Sequence, residues 1–463
     1  MSDDEYSADF EGDLDEDEYE DDFDEEDTRP SSRLQRMPRS PVPTNIVDES
    51  VARPVSAPRS PRSPPPAHVA DETLVALPSP VSEVKPPWLA SLAADDDATW
   101  REVPEAVREL RTLLTGDPGR ILPAPWRKQG LCFVEDGGAV QYGLEQHDGG
   151  PCGVIAAVQA VVLDELVYGG SARPWDAKAR SKAVAAALVT VLWRAAAAAA
   201  EERGGPPVAT LCVLSREPCA ADAAAALRPD GVTERLSLRC CASPEELERL
   251  VASQAVQRLY EARHGPGAVL LLLSAVLSRT VAGARGDGDD GDRCFIDGRG
   301  FANFEVINLL LFGRAHSNTF DGVRDVDGVV LRGAPRRDRV GLLAADEARG
   351  YFAVGDFLKS PRVPIFIVYS ESHFSVLFSD DPAVLDRDAD RPFDLTYWDC
   401  LSTEDGPVRL TVDPCLYDAS GKSHRPVPPA VDDDAALIPP LDVVVRTRWP
   451  NAGIDWNDSE PIL

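Results

Sequence analysis

Basic residues are scarce in this sequence of 463 residues, in which 47 Lys and Arg stand against 78 Asp and Glu. The formal net charge is −31. A surface that binds nucleic acid or an anionic membrane needs clustered Lys and Arg, so neither kind of partner is expected. The charge suits a basic protein partner better.

Paired cysteines and cysteine–histidine motifs are also lacking. The nine cysteines are an odd number, and the only close pair is the adjacent Cys240 and Cys241. No Cys-x-x-Cys motif and no Cys/His set with zinc-finger spacing is present. The sequence therefore predicts no disulfide framework, no metal and no cofactor, and it predicts an intracellular location in the cytoplasm, the nucleus or both.

Long apolar runs are absent as well. The two longest, residues 183–193 and 268–277, are shorter than the roughly 20 residues that cross a bilayer. The N-terminus has no basic segment followed by an apolar one, as a secretory signal would. The expectation is a soluble protein without a membrane partner.

The first 85 residues have the composition of a disordered tail. Residues 1–27 contain 17 acids and no base, and residues 28–85 are rich in Pro, Arg and Ser. Such segments repel themselves and bury too little apolar area to fold. We predict a tail over residues 1–85 and one folded domain over residues 86–463, which carries 17 of the 31 net negative charges.

The pattern of apolar residues predicts helices early in this domain and strands late. Helices are predicted at 154–166, 177–202, 303–312 and 340–349, and strands at 208–214, 233–240, 363–368, 374–378 and 393–398. Residues 268–277 fit either a helix or a buried strand. This order indicates an α+β fold rather than an alternating α/β chain.

The domain is organised around the stretch from Gln146 to Gly153, which reads Gln-His-Asp-Gly-Gly-Pro-Cys-Gly and leads into an apolar helix. Glycine and proline before Cys152 place this cysteine at the start of the helix. The positive end of a helix dipole favours a thiolate there. A plain buried cysteine is the alternative, but the Gly-Gly-Pro sequence and the upstream glutamine favour a nucleophile.

A cysteine nucleophile needs a base, and among six histidines His373 fits best. It begins a predicted strand far along the chain, and papain-like folds place the helix-borne cysteine first and the base later on a central strand. A structural strand histidine is an equally good interpretation of His373 alone. His147 is too close in sequence to Cys152, although it can line the cleft, and His316 stays a candidate in a loop.

Two further polar residues complete the predicted constellation. The amide of Gln146 is a candidate donor to the oxyanion, together with the backbone N–H of Cys152. Asp399 follows a predicted strand and is a candidate to orient the His373 imidazole, although a solvent-facing acid is common at such a position. The set indicates thiol-dependent acyl transfer, in which an amide is cleaved by acylation of Cys152 and then hydrolysis.

An extensive set of ordered blocks resembles the MINDY family of cysteine deubiquitinases, in its larger and more divergent branch. The resemblance extends from roughly residue 86 to the C-terminus. They are WRKQG (126–130), YGL (142–144), residues 146–153, NLL (308–310), GRA (313–315), FDG (320–322), EARGY (347–351), residues 370–378 and RTRWP (446–450), with Asp455 and Trp456 after them.

The resemblance implies a papain-like catalytic domain that hydrolyses isopeptide bonds at the C-terminus of ubiquitin, as a monomer. The implied substrate is polyubiquitin, with a family preference for the linkage that directs proteins to the proteasome. Cys152 matches the nucleophile, His373 the base and Gln146 the oxyanion donor. Asp399 has no counterpart in the resemblance. The chain departs from the family in His147 and Asp148, in an expanded loop at 283–293 and in the long tail.

Two other functions compete with this one. A catalytically inactive scaffold that binds ubiquitin would keep the same fold, but nothing in the sequence favours it because Cys152, His373 and Gln146 are all present. Another thiol enzyme on the same fold, such as a transglutaminase-like enzyme or a peptidase with a different substrate, would share the chemistry. Probes with different carboxy-terminal electrophiles would separate these functions.

Overall fold

The computed structural model of the chain describes residues 101–102, 104–135, 140–215, 228–386, 390–402, 406–418, 421 and 438–461. The predicted tail over residues 1–85 lies outside the described residues. The proposed start of the folded domain at residue 86 lies outside them too, so both stay predictions.

The described residues form a mixed helical and sheet structure, as the α+β prediction required. The helices are α1 (Pro104–Thr115), α2 (Ala124–Arg127), α3 (Cys152–Leu163), α4 (Ala177–Arg203), α5 (Pro244–Val251), α6 (Gln254–Glu261), α7 (Gly267–Arg279), α8 (Val281–Asp287), α9 (Phe304–Phe312), α10 (Ala345–Ala348), α11 (Asp356–Lys359) and α12 (Pro440–Arg448). The strands are β1 (Arg101–Glu102), β2 (Ala209–Leu214), β3 (Leu236–Cys241), β4 (Val323–Val326), β5 (Val329–Arg332), β6 (Gly341–Ala344), β7 (Ile365–Ser370), β8 (His373–Phe378), β9 (Phe393–Trp398), β10 (Val408–Asp413) and β11 (Gly453–Asp455).

A six-stranded sheet with the order β11-β10-β9-β8-β7-β6 supports the late half of the chain. Its strands are antiparallel except for the parallel pair β6 and β7. β8 lies inside this sheet between β7 and β9, and its last five residues are buried. β7 pairs with the whole of β8, including its first residue, whereas β9 pairs with its last three residues.

Helix α3 is the centre of the helical layer. All of its residues are buried, which agrees with a composition after Cys152 that is apolar except for Gln159. It packs on β8 and β7 on one side and on α4 and α9 on the other. A helix that is apolar on every face is stable only inside a core, so the nucleophile stretch and the central strand are brought together by hydrophobic burial.

Helix α4 is long and begins and ends with standard caps. The Asp176 side chain accepts a hydrogen bond from the Ala179 N–H, and Gly204 takes a left-handed conformation after the last turn. By its length and composition this helix could cross a membrane, although the apolar runs in the sequence are expected to be too short for that. Because 67% of its most apolar window is buried within the protein, it has the environment of a core helix.

Parts of the fold differ from the sequence predictions or were not resolved by them. Residues 340–349 were predicted as one helix, which is wrong: β6 is followed by the single turn α10. Parallel pairing of β6 with β7 overrides the local helical spacing. Residues 268–277 lie in helix α7, which settles the open alternative. The hairpin of β4 and β5 was not predicted.

Candidate active site

Cys152 is the first residue of α3 and its side chain is buried. The carbonyl of Pro151 accepts hydrogen bonds from the N–H groups of Val154 and Ile155, which begins the helix at this point. The Cys152 N–H lies in the first turn, where N–H groups have no intrahelical acceptor. The structure therefore places the thiol and a free backbone donor together at the positive end of a buried helix.

Glycines are required on both sides of this cysteine. Gly150 has φ +128°, and a Cβ there would lie 3.0 Å from the carbonyl oxygen of Gly300. A Cβ on Gly153 would lie 2.8 Å from Cδ1 of Ile307 and 3.0 Å from Cβ of Ala302. The Gly-Gly-Pro-Cys-Gly stretch thus lets the chain turn sharply and lets α3 approach its neighbours closely.

His373 is the first residue of β8, which packs against α3. A two-residue turn of Glu371 and Ser372 precedes it, and both residues have positive φ, +50° and +63°. This conformation is costly for residues other than glycine. The Arg349 guanidinium lies 2.5 Å from the Glu371 carboxylate, and this ion pair stabilises the turn.

Asp399 follows β9 and contacts His373 directly. The register that pairs Val376 with Trp398 brings Asp399 diagonally across from the start of β8. The His373 Nε2 lies 2.9 Å from Asp399 Oδ1, which also accepts the N–H of Leu401. With Nε2 bound to the carboxylate, Nδ1 is the ring nitrogen that is left for the thiol.

The ionisation of His373 reflects both neighbours. Burial alone would lower the pKa of this imidazole, but hydrogen bonds to Asp399 and Cys152 and the charges of both groups raise the pKa to about 10. The ring is therefore protonated at neutral pH. A protonated imidazole beside a thiol stabilises the thiolate form of that thiol.

Gln146 is buried six residues before Cys152. Its backbone N–H donates to the carbonyl of Cys400 at 2.7 Å, next to Asp399. Its side-chain Nε2 donates to the carbonyl of Asp148 at 2.7 Å, which uses one of the two N–H bonds of the amide. The second N–H has no acceptor among the described residues, and the buried Oε1 has no hydrogen-bond partner there either.

Two buried glutamines that the sequence analysis did not single out hold the segment around Gln146. The Gln159 Oε1 on α3 accepts the N–H of Leu144 at 2.5 Å, and its Nε2 donates to the carbonyl of Tyr142. The Gln129 amide bonds the residues on either side of Gln146. A glutamine inside an otherwise apolar helix was the available sequence signal for Gln159, because buried polar groups need partners.

The remaining histidines and buried cysteines have other surroundings. His316 is buried and its Nδ1 lies 2.6 Å from the Gly333 carbonyl, and burial lowers its pKa. Burial raises the pKa of Cys212 to about 12 and that of Cys241 to about 11, so both are protonated thiols at neutral pH. His147 bonds the Arg263 carbonyl. Among the described residues, two cysteines lie beside an imidazole that is near a carboxylate: Cys152, whose His373 bonds Asp399 at 2.9 Å, and Cys132, whose His147 lies 3.6 Å from Glu145.

An aromatic cluster forms one wall beside the thiol. Tyr369 at the end of β7 lies near Cys152, and its ring centroid is 4.7 Å from that of Phe374. Phe304 contacts both rings edge to face. The apolar wall lowers the local dielectric around the Cys152–His373 pair, which strengthens its electrostatic interactions.

Comparison with known proteins gives a consistent result. The conserved domain described as "Deubiquitinating enzyme MINDY-3/4, conserved domain" matches residues 111–458. The protein named "Probable ubiquitin carboxyl-terminal hydrolase MINDY-4" is 38% identical in Mus musculus and 36% in Homo sapiens, each over 371 residues. "Ubiquitin carboxyl-terminal hydrolase MINDY-3" of Bos taurus is 30% identical over 278 residues.

The extent of these matches differs between the two relatives. The MINDY-4 alignments cover 77% of this chain and 46% of the relatives, so the chain spans about half their length. The MINDY-3 alignment covers 56% of this chain and 61% of the relative. No solved structure matches the chain. Because the conserved domain covers most of the sequence, including Cys152, His373 and Asp399, the chain belongs to the MINDY-3/4 family.

Proposed function

We propose that the protein is a cysteine deubiquitinase that hydrolyses isopeptide bonds of polyubiquitin through an acyl-enzyme on Cys152. The observation that carries the proposal is the grouping of Cys152, His373 and Asp399, in which the imidazole bonds a carboxylate at 2.9 Å and is influenced electrostatically by Cys152. The relatives' names support ubiquitin as the substrate. The order of helix-borne cysteine and strand-borne histidine supports a papain-like fold.

Acylation begins when the Cys152 thiolate attacks the carbonyl carbon of the isopeptide bond. The oxyanion that forms accepts hydrogen bonds from the Cys152 backbone N–H and from the free N–H of Gln146. The His373 imidazolium then gives its Nδ1 proton to the leaving lysine amine, and the C–N bond breaks. The products of this step are the free amine and a thioester on Cys152.

Deacylation uses the same groups in reverse order. Neutral His373 removes a proton from water, and the hydroxide attacks the thioester carbonyl. The C–S bond breaks, the ubiquitin carboxyl group leaves and releases its proton to solvent as a carboxylate, and the imidazolium and thiolate are restored. Asp399 keeps the Nε2–H of His373 directed away from the thiol during both steps, which fixes the tautomer.

The substrate and the location follow from charge and cysteine chemistry. Residues 86–463 carry a net charge of −17, which attracts the basic tail of ubiquitin. The family resemblance favours the proteasome-directing linkage. All eight described cysteines are free, which supports an intracellular location in the cytoplasm, the nucleus or both. A monomer suffices, because one chain supplies all three residues of the grouping.

The test is cleavage of purified polyubiquitin by the full chain, followed on gels. Chains of the proteasome-directing linkage and of a signalling linkage are offered separately to the native protein and to Cys152→Ala. Cys240→Ala, at an exposed thiol, is the matched control. We expect loss of the proteasome-directing chains with the native protein and the control only.

Two results would overturn parts of this proposal. Equal cleavage by Cys152→Ala would exclude the thiol mechanism. If no variant cleaves either chain but all bind ubiquitin on a column, the protein is a ubiquitin-binding scaffold. Ubiquitin with a C-terminal electrophile supplies an independent readout, because it adds its mass to Cys152 in the native protein and not in Cys152→Ala.

A further inference from the structure

A second group of reactive side chains lies next to Gln146. Cys132, Glu145 and His147 each offer one ligand atom, and these atoms all lie within 4.8 Å of one another. The isolated bridge between Phe133 and Leu144 creates this proximity, since it pairs the segments that carry Cys132 and Glu145. The Glu145 N–H donates to the Cys132 carbonyl at 2.9 Å. Sequence spacing does not show this group because its members come from two paired segments.

The imidazole of His147 is oriented as a metal ligand would be. Its Nε2 lies 2.8 Å from the carbonyl oxygen of Arg263, so Nε2 carries the proton and donates it. Nδ1 is the ring nitrogen left for a ligand and lies 3.6 Å from Glu145 Oε1, and the Cys132 Sγ lies 3.9 Å from Nε2 on the other side of the ring. Metal-binding histidines almost always donate their other N–H to a carbonyl or carboxylate, which fixes the tautomer and the ring.

The carboxylate of Glu145 has one oxygen without a partner. The Arg263 guanidinium donates to Oε1 at 2.5 Å, whereas Oε2 is buried and has no hydrogen-bond partner among the described residues. An unsatisfied buried carboxylate oxygen is costly. A cation bound by Oε2 would remove this cost while Arg263 stays on Oε1 as an outer partner that orients the carboxylate.

We propose that Cys132, Glu145 and His147 bind a zinc ion, with solvent in the fourth position. Thiolate, imidazole and carboxylate together form a ligand set for zinc, because magnesium and calcium bind oxygen ligands and avoid thiolates. Three protein ligands leave one tetrahedral position open. The site requires only the observed pairing of the two segments and does not depend on the proposed activity.

Zinc in this position ties down the residues on both sides of Gln146. Gln129 already bonds the Glu145 carbonyl and the His147 N–H, at 2.8 and 2.9 Å. The metal ion would link the side chains of Glu145 and His147 to the side chain of Cys132 on the neighbouring segment. The metal therefore stabilises the segment that presents the candidate oxyanion donor.

Cobalt titration tests the site, because a cobalt–thiolate bond gives a charge-transfer absorption band. The full chain with Cys152→Ala is used, so that the thiol of the candidate active site cannot ligate. We expect one cobalt per chain with this band, and displacement by zinc. Adding Cys132→Ser abolishes the band, whereas adding Cys240→Ser, at an exposed cysteine outside the group, leaves it unchanged.

Thermal melting supplies the second measurement. Excess zinc raises the melting temperature of a protein whose folded state binds it, and Cys132→Ser loses that rise. If Cys132→Ser does not fold, the titration of Glu145→Gln decides, with cobalt binding weakened at least tenfold. A missing band at stoichiometric cobalt, a band that survives in Cys132→Ser, or unchanged cobalt affinity in Glu145→Gln would overturn the proposal.

Discussion

Replacement of Asp399 by asparagine separates the electrostatic role of this carboxylate from its shape. Asparagine keeps an acceptor oxygen for the His373 Nε2–H and fits the same space, but it carries no charge. The negative charge of Asp399 helps to keep the imidazole protonated, so its loss lowers the pKa of His373. We therefore expect weaker catalysis and a pH profile displaced toward lower pH.

The size of the effect follows from the ionisation of His373. Its pKa is about 10, against an ordinary value of 6.5. This difference corresponds to about 5 kcal/mol in favour of the protonated ring, shared between Asp399 and Cys152. If about half of this free energy comes from Asp399, the Asp399→Asn variant loses about 2 kcal/mol of transition-state stabilisation. Its kcat/KM should then fall roughly 30-fold. The alkaline limb of the profile shifts down by about 1.5 pH units.

The assay measures kcat/KM from about pH 6 to about pH 10 with ubiquitin carrying a C-terminal fluorogenic amide. Asp394→Asn is the matched control, because Asp394 lies on β9, five residues before Asp399, and pairs with Arg409 at the surface. Its profile should equal that of the native protein. Melting curves of both variants show whether the fold is intact.

One outcome would refute this reasoning directly. If Asp399→Asn folds normally and keeps both the native kcat/KM and the native alkaline limb, the carboxylate neither orients nor charges the imidazole. The 2.9 Å contact between His373 and Asp399 would then be structural only. A fall in kcat/KM of the same size in Asp394→Asn would show that the measurement reports surface charge instead.

Three further substitutions probe the fold around the site. Gly153→Ala forces a methyl group to 2.8 Å from Ile307 and should destabilise the protein by about 1–3 kcal/mol, read as a lower midpoint in urea unfolding. Arg111→Met leaves the Asp230 carboxylate buried without its guanidinium partner at 3.1 Å and should cost about 3–5 kcal/mol in the same assay. Ser372→Gly relieves a positive φ in the turn before β8 and should raise the melting temperature, with a gain of up to about 1 kcal/mol; a lower melting temperature would contradict the strain.

The position of Cys152 could be predicted from the sequence because its causes are local. Gly149, Gly150 and Pro151 precede an apolar run, and both the turn and the helix depend on neighbours within a few residues. The structure begins α3 at Cys152 and buries every residue of the helix. The role of Cys152 as nucleophile stays a prediction until the cleavage experiment is done.

The sequence could suggest a contact between His373 and Asp399, but it could not show that the two residues are close in the fold. The two residues are 26 positions apart, and the distance between them depends on the register of β8 and β9. Alternating apolar residues identify a strand, but they do not say which strand is its neighbour. The sequence therefore identified both residues as candidates, and the sheet brings them to 2.9 Å.

Several features that escaped prediction depend on distant partners. β6 is a strand because β7 pairs with it, although residues 340–349 have helical spacing. The amides of Gln129 and Gln159 matter because they bond backbone groups of the Gln146 segment, 13 or more positions away. Local propensity is a weak guide wherever such tertiary contacts decide the structure.

The three candidate catalytic groups are held by different kinds of interaction, and this decides which of them can move. Cys152 is fixed by a wholly buried helix, and His373 by a strand that is paired on both edges. Gln146 lies between such elements and is held by individual hydrogen bonds, such as the 2.7 Å bond of its N–H to the Cys400 carbonyl. A hydrogen bond contributes about 1 kcal/mol, whereas displacing a core helix costs many buried contacts. The candidate oxyanion donor, Gln146, is therefore the group that is most easily displaced. The proposed zinc site includes the residues on both sides of it and would restrain its position.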